Sequence, residues 1–255
     1  MHNALMVGLS RQVALERELD VVANNIANIN TTGFKSDGAL FEEFIGKTAR
    51  SDNVRPIDRK VSFVSDRATW IDMSAGAMQR TGNPTDIAID GKGFMAVQTA
   101  NGERYTRSGA FQIDSQGQLV TADGNPVLGD AGPIVFQPTD RNIAISPDGT
   151  ISVQEGANAN TEALRGKLRL VSVDNPGALQ KEGANLFSAP AGVTVTPNTT
   201  SRFVQGAIEK SNVNSVLEMT RMIDVTRSYT NVATMLQQQA DLQKSAIEKL
   251  ADVPN

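Results

Sequence analysis

Four carboxylates in the middle of this 255-residue chain, Asp86, Asp90, Glu103 and Asp114, lie close enough in sequence to suggest a general acid and base working as a pair. Each has a plainer account. Asp90 precedes Gly91 as a turn acid and Asp86 follows Pro84-Thr85, both ordinary hairpin chemistry. Gly91-Lys92-Gly93 is a fragment of a phosphate-cradling loop without the spacing of one, and Arg165-Gly166-Lys167-Leu168 lacks the closing Ser or Thr. Asp114-Ser115-Gln116-Gly117 and Asp123-Gly124-Asn125 put too few oxygens in register for calcium. The only histidine is His2, and the absence of cysteine removes thiolate nucleophiles, zinc-thiolate sites and disulfides together. No catalytic, cofactor or metal site is expected, and these segments read as turns.

Neutral amides form a second candidate group. Asn24 and Asn28 stand four apart on one helical face, with Asn25 beside them. Such groups hydrogen-bond across subunits without the desolvation cost of charges. For Asn28, with Asn30, simple helix termination is an equal alternative. Near the other end Arg227 and Tyr229 are placed to cross-link helices, the ring buried and the hydroxyl bonded. A solvated face is the alternative for Arg227.

The elements that carry these residues are two amphipathic helices at the ends of the chain. Leu5, Gly8, Gln12, Leu15, Leu19, Val22, Ile26 and Ile29 follow a 3,4 spacing, which predicts a helix over 3–29 that stops at Asn28–Gly33, with Gly33 as the C′ residue and Phe34 anchoring the chain beyond. Met219, Met222, Thr226, Tyr229, Ala233, Leu236, Ala240, Gln243, Ile247 and Leu250 keep the same spacing over 215–250. Ser215 and Glu218 form a capping-box candidate, and Glu218/Arg221, Asp224/Arg227 and Asp241/Lys244 are acid-base pairs three apart. Both seams are diluted by Gly8, Gln12, Thr226 and Gln243, and two helices do not enclose both of them. A helix pair that is marginal alone and ordered by polymerisation fits that pattern better than ordinary monomer core.

Every glycine except Gly8 and every proline except Pro254 lies between these helices. From Val61 onward, strand-like runs at Val61–Val64, Ile87–Ile89, Phe94–Gln98, Arg104–Thr106, Leu119–Thr121, Ile134–Phe136, Ile143–Ile145, Ile151–Val153 and Leu168–Val173 alternate with Asp90-Gly91, Asn101-Gly102, Asp123-Gly124 and Asp148-Gly149. Those dipeptides supply the positive φ of tight hairpins, so a meandering sheet, sandwich or open barrel is expected. Residues 36–65 are mixed in charge with one apolar patch, Leu40, Phe41, Phe44 and Ile45. The fold class is therefore α+β. Residues 1–35 and 211–255 are expected to pair as a coiled-coil-like domain, 36–80 to connect, and 81–210 to form the β domain.

A net charge of −4 with no basic run longer than two argues against nucleic acid as a partner. No stretch approaches the ~20 apolar residues of a membrane span. The first twenty residues lack the basic start, unbroken apolar core and cleavage site of a secretory signal, so export without a cleaved signal is expected if the chain leaves the cytoplasm.

Four blocks carry a resemblance. Ala23–Lys35, Thr81–Phe94 with Tyr105–Phe111, Gly206–Asn214, and Glu218-Met219-Thr220 with Arg227-Ser228-Tyr229 resemble, in order, the motifs of bacterial flagellar rod and hook proteins. Ser228 stands where Ala is more usual. The opening Asn3–Gln12 and Glu18-Leu19-Asp20 look most like the proximal-rod branch, and residues 36–60 lack the segment associated with the distal rod. The resemblance implies a non-enzymatic structural subunit of the basal-body rod, polymerising helically through its terminal helices into a hollow drive shaft. Its partners would be copies of itself, other rod proteins, and the flagellar type III export apparatus, and its place the periplasm. A distal-rod or hook-type subunit, a β-domain binding module and a wall hydrolase using Asp86 or Asp90 are the alternatives. The residues expected at subunit interfaces are Leu15, Leu19, Val22, Asn24, Asn25, Ile26, Asn28, Met219, Met222, Arg227, Tyr229, Leu236, Ile247 and Leu250.

Overall fold

The computed structural model describes residues 2–46, 61–156 and 162–251, with the backbone alone described at 2–5, 41–46, 61–68, 250 and 251. The chain divides into two compact units. The first comprises Met1–Ala27, Asp37–Ile71 and Asn214–Asn255, and the second Asn28–Ser36 and Asp72–Val213.

In the first unit, helix α1 spans His2–Ala27 and helix α2 spans Ser215–Ala251. At 1.5 Å per residue they are roughly 39 and 56 Å long. They run antiparallel: Gly8 lies against Leu236, Gln12 bonds Tyr229, and Asn25 reaches Glu218. The start of α2 differs from the expected capping box. Asn214, not Ser215, is the cap, its side-chain oxygen accepting the amides of Val216 and Leu217 at 3.1 and 3.3 Å. Asn is as good a cap as Ser, and the one nearer the turn satisfies the free amides first. Arg221 turns away from Glu218 and pairs across the helices with Glu18 at 3.1 Å.

Residues 36–80, expected to connect, contain an antiparallel ribbon, Asp37–Gly46 with Val61–Ile71, irregular between Leu40 and Phe41. Its first pair is held by Asn25, whose amide donates to the Asp37 carbonyl at 2.8 Å and accepts the Asp37 amide at 2.9 Å. The Trp70 indole fills the space beside Gly38, its partner across the ribbon. The side chains of Phe41, Phe44 and Ile45 lie outside the described residues.

The second unit is all β. Its largest sheet is six-stranded and antiparallel, ordered 180–182, 186–188, 102–106, 94–99, 170–173 and 195–197. A three-stranded sheet, 140–145, 150–155 and 162–167, and four two-stranded pairs complete it. Residues with alternate side chains inward, such as Met95 with Val97 and Ile151 with Val153, meet Ile87, Leu119, Leu168 and Phe203 in one buried core. All four Asp-Gly and Asn-Gly turn glycines have positive φ. One expected strand is absent and another is shortened. Ile134 and Phe136 are buried and Val135 is exposed, but the run loops against 117–127, where Ile134 bonds Val127 and Leu119 and Phe136 bonds Gly117. The run 168–173 is interrupted because Leu168 bridges to Gly129 before the strand Leu170–Val173 begins.

Candidate assembly interface

The apolar positions withdrawn from solvent include Gly8, Ala14, Leu15, Leu19, Val22 and Ile26 on α1, and Val225, Tyr229, Val232 and Leu236 on α2. Val22, Val225 and Val232 are buried, while Leu15, Leu19, Ile26, Tyr229 and Leu236 are half-buried. Gly8 leaves room for Leu236. A Cβ there would sit 2.6 Å from a Leu236 methyl, so the glycine that weakens the expected seam makes the approach possible. On α2 the buried positions 225 and 232 fall one residue before the expected Thr226 and Ala233. An apolar stripe is wide enough for two adjacent 3,4 series, and the bulkier valines take the inside.

The remaining expected interface residues split by exposure. Asn25 is fully buried and spends its amide on Asp37, with a long 3.4 Å bond to Glu218. Asn24 is exposed. Asn28 belongs to the second unit, where its carbonyl and side-chain oxygen accept the Thr31 amide and hydroxyl at 3.2 and 3.1 Å, a turn that terminates α1. Met219, Met222, Arg227 and Ile247 face outward, and the Leu250 side chain lies outside the described residues. Tyr229 does cross-link the helices, accepting from Gln12 at 3.0 Å.

Outward from that seam, both helices carry apolar residues that nothing described covers. Met6, Leu9 and Val13 on α1, and Val216, Met219 and Ile223 on α2, each keep more than half of their surface exposed. Leu242 and Ile247 are exposed on the part of α2 that continues past Leu236, the level of Gly8. Threonines 220, 226, 230 and 234 on the same outer side turn their hydroxyls back to helix carbonyls, 2.6–2.9 Å away.

A second arrangement, in the β unit, went without any role in the sequence. Glu209 is buried and accepts four hydrogen bonds. Its Oε1 takes the Lys35 ammonium at 2.7 Å and the Gly76 amide at 2.9 Å. Its Oε2 takes Arg107 through Nε at 2.8 Å and Nη2 at 2.7 Å. Lys35 and Arg107 are equally buried. Lys35 also donates to the Ser74 carbonyl, and Arg107 spends Nη1 on the carbonyls of Gly91 and Gly93. Burial holds the Lys35 ammonium below its ordinary 10.5, outweighing the opposing pull of Glu209.

Around this node the segments 28–36 and 206–213 are pinned. The Gly33 amide donates to the Glu209 carbonyl at 2.8 Å. Asn212 bonds Ser36, Asp72 and Ser74 through its side chain. Lys181 lies 4.2 Å from the centre of the Phe34 ring and donates to the Lys35 carbonyl. Gly33 is not the C′ residue of α1, which ends six residues earlier at Ala27. Its φ of 67° belongs to this turn, where a Cβ would overlap the backbone of Arg107 and Ser108. Asp86, one of the carboxylates raised for catalysis, is tied into a turn by Asn83 at 3.1 Å, and Asp90 is exposed.

Three stretches of the chain match known families: residues 5–35 the flagella basal body rod protein family, 88–153 the flagellar hook protein FlgE/F/G D1 domain, and 204–249 the flagellar basal body rod FlgEFG protein C-terminal region. Over 99% of its length the chain is 41% identical to the flagellar basal-body rod protein FlgF of Caulobacter vibrioides, whose whole length is covered. The chain belongs to the flagellar basal-body rod protein family. It is also 37% identical to FlgF of Mesorhizobium japonicum over 98% of both chains, and 33% identical to FlgG of Bacillus subtilis over 90% of this chain and 92% of that one. It is thus a FlgF-like structural subunit of the basal-body rod, with FlgG-type rod proteins as the next relatives. The Lys35, Arg107 and Glu209 node joins one residue from the first matched stretch, one from the second and one from the third.

Proposed function

We propose that this subunit polymerises helically through α1 and α2 into the wall of a hollow shaft that transmits torque and passes exported subunits, and that it is not an enzyme. The observation that carries this is the uncovered apolar surface on the outward faces of both helices. A helix pair whose only task was to close on itself would turn such residues inward. Leu15, Leu19, Val22, Asn25, Ile26, Tyr229 and Leu236 hold the pair together, and contacts between subunits fall on the exposed members, Asn24, Met219, Met222, Arg227 and Ile247. The other rod proteins are its neighbours in the shaft. The flagellar type III apparatus delivers it across the inner membrane into the periplasm, and among the described residues no helix is long and apolar enough to cross a membrane.

The 41% identity to the Caulobacter FlgF, against 33% to the Bacillus FlgG, favours a proximal over a distal position. Val13→Asp and Met219→Asp, introduced singly, test the assembly route. Each is expected to leave the monomer folded, as judged by its circular dichroism, and to abolish recovery of the chain in purified basal bodies and swimming. Normal recovery and normal swimming of both variants would overturn it.

A further inference from the structure

Resting on the rod-subunit reading, we propose that the Met6–Leu9–Val13 face of one copy seats on the Val216–Met219–Ile223 face of the next, in a head-to-tail contact between like-oriented copies. Both triplets have spacing i, i+3, i+7, so each forms one straight line on its helix. At 3.6 residues per turn the first line falls opposite Val22 on α1, and the second opposite Val225 on α2, both buried. Neither line is interrupted by a charge. The chain therefore carries both halves of one contact, matched in length, spacing and apolar character. A second copy is the partner that brings the missing half.

One copy does not cover its own lines with each other. They sit at opposite ends of the antiparallel pair: Met6–Val13 at the end where Gly8 meets Leu236, and Val216–Ile223 at the end where Asn25 meets Glu218. Because α1 and α2 are antiparallel, α1 of a like-oriented second copy runs antiparallel to α2 of the first. That stacks Met6 on Ile223, Leu9 on Met219 and Val13 on Val216. Leu9 of the second copy then lies level with about Asn24 of the first, an axial step of roughly 23 Å at 1.5 Å per residue. A contact between two different patches, repeated with a step along the axis, builds an open array and not a closed pair. Three residues a side are far fewer than the roughly 20–30 a side of a stable interface, so dilute copies stay monomeric and the contact forms once several neighbours act together.

The absence of native cysteine makes the test direct. Chains carrying Leu9→Cys and Met219→Cys together are expressed as the only copy of the protein, basal bodies are purified, oxidised, and run without reductant. The expected result is a ladder of dimers, trimers and higher species of this chain. Leu9→Cys alone should give no dimer, and co-expressed single variants should give dimers only. Val13→Cys with Val216→Cys repeats the test should the first pair assemble poorly. Dimers from Leu9→Cys alone, a double variant that stops at dimers, cross-links to a different protein, or no cross-link in basal bodies that contain the chain would each overturn the contact while leaving the rod assignment intact. Absence of the unmodified chain from basal bodies would overturn both.

Discussion

Replacing Glu209 by Gln should be among the most damaging single changes in the β unit, and the geometry says why. Both carboxylate oxygens face only donors: Oε1 meets the Lys35 ammonium and the Gly76 amide, and Oε2 meets two nitrogens of Arg107. Whichever way a glutamine amide is turned, its NH₂ is set against donors, and two buried cations lose their only shared anion. Breaking a buried ion pair typically costs about 3–5 kcal/mol. For a unit of roughly 150 residues that lowers the melting temperature by about 6–20 °C, at 2–4 °C per kcal/mol. Lys35→Met should behave differently. Two cations share one carboxylate, so removing Lys35 leaves a balanced Arg107–Glu209 pair, and Ser74 keeps its bond from Asn212. Burial already works against the Lys35 charge, and with Arg107 still on Glu209 no uncompensated buried charge, the source of the large cost, is left behind. The expected cost is under about 1 kcal/mol by that principle. Guanidinium unfolding read by hydrogen exchange of the strands Ile87–Asp90 and Phe94–Thr99 follows the β unit alone; the lone Trp70 lies in the other unit. Equal losses for Glu209→Gln and Lys35→Met, or a change below about 1 kcal/mol for Glu209→Gln, would refute the reasoning.

Three further outcomes follow from particular contacts. Gly33→Ala forces a positive φ on a residue with a Cβ that overlaps the Arg107 backbone, so the β unit should lose at least about 1–3 kcal/mol in the same exchange assay. Gly8→Leu should push α1 from α2 at a cost of about 1–3 kcal/mol, seen as faster amide exchange in both helices, and Leu236→Ala should restore part of it. Asp140, beside Arg165, and Glu182, beside Arg104, are both held below their ordinary 3.8 and 4.5 by those guanidinium hydrogen bonds. The unfolded chain binds more protons in that window, so their contribution is complete above the ordinary values and is lost as pH falls below them. Acid unfolding of Asp140→Asn should show a shallower dependence on pH below about 4 than the unmodified chain.

The helices were legible because a 3,4 spacing survives over seven turns without a breaker, and the Asp-Gly and Asn-Gly turns marked the hairpins by the backbone they require. Register was harder. Val225 and Thr226, or Val232 and Ala233, both continue a 3,4 series from Met222 and Tyr229, and only the fold shows that the valines are the buried pair. Gln12 read as a weak point in a seam and Asn25 as a contact across subunits, yet both are bonded within the chain, to Tyr229 and Asp37. The strand at Ile134 was misread because a short apolar run with Ile134 and Phe136 turned inward fits a loop folded over a core as well as a strand. The node at Glu209 had no local signature. Lys35 is 174 residues and Arg107 102 residues away, each inside a block that carried only a family resemblance. A buried triad of that kind exists only once the fold has assembled it.

The most direct measurement of the central claim is hydrogen exchange by mass spectrometry on the isolated subunit and on intact basal bodies. Assembly through the helices predicts that amides in 6–13 and 216–223 exchange quickly in the free chain and become strongly protected in the rod. The core strands Phe94–Thr99 and Thr150–Glu155 should exchange alike in both. Equal protection of the two helices in both states, with new protection confined to the β unit, would contradict it.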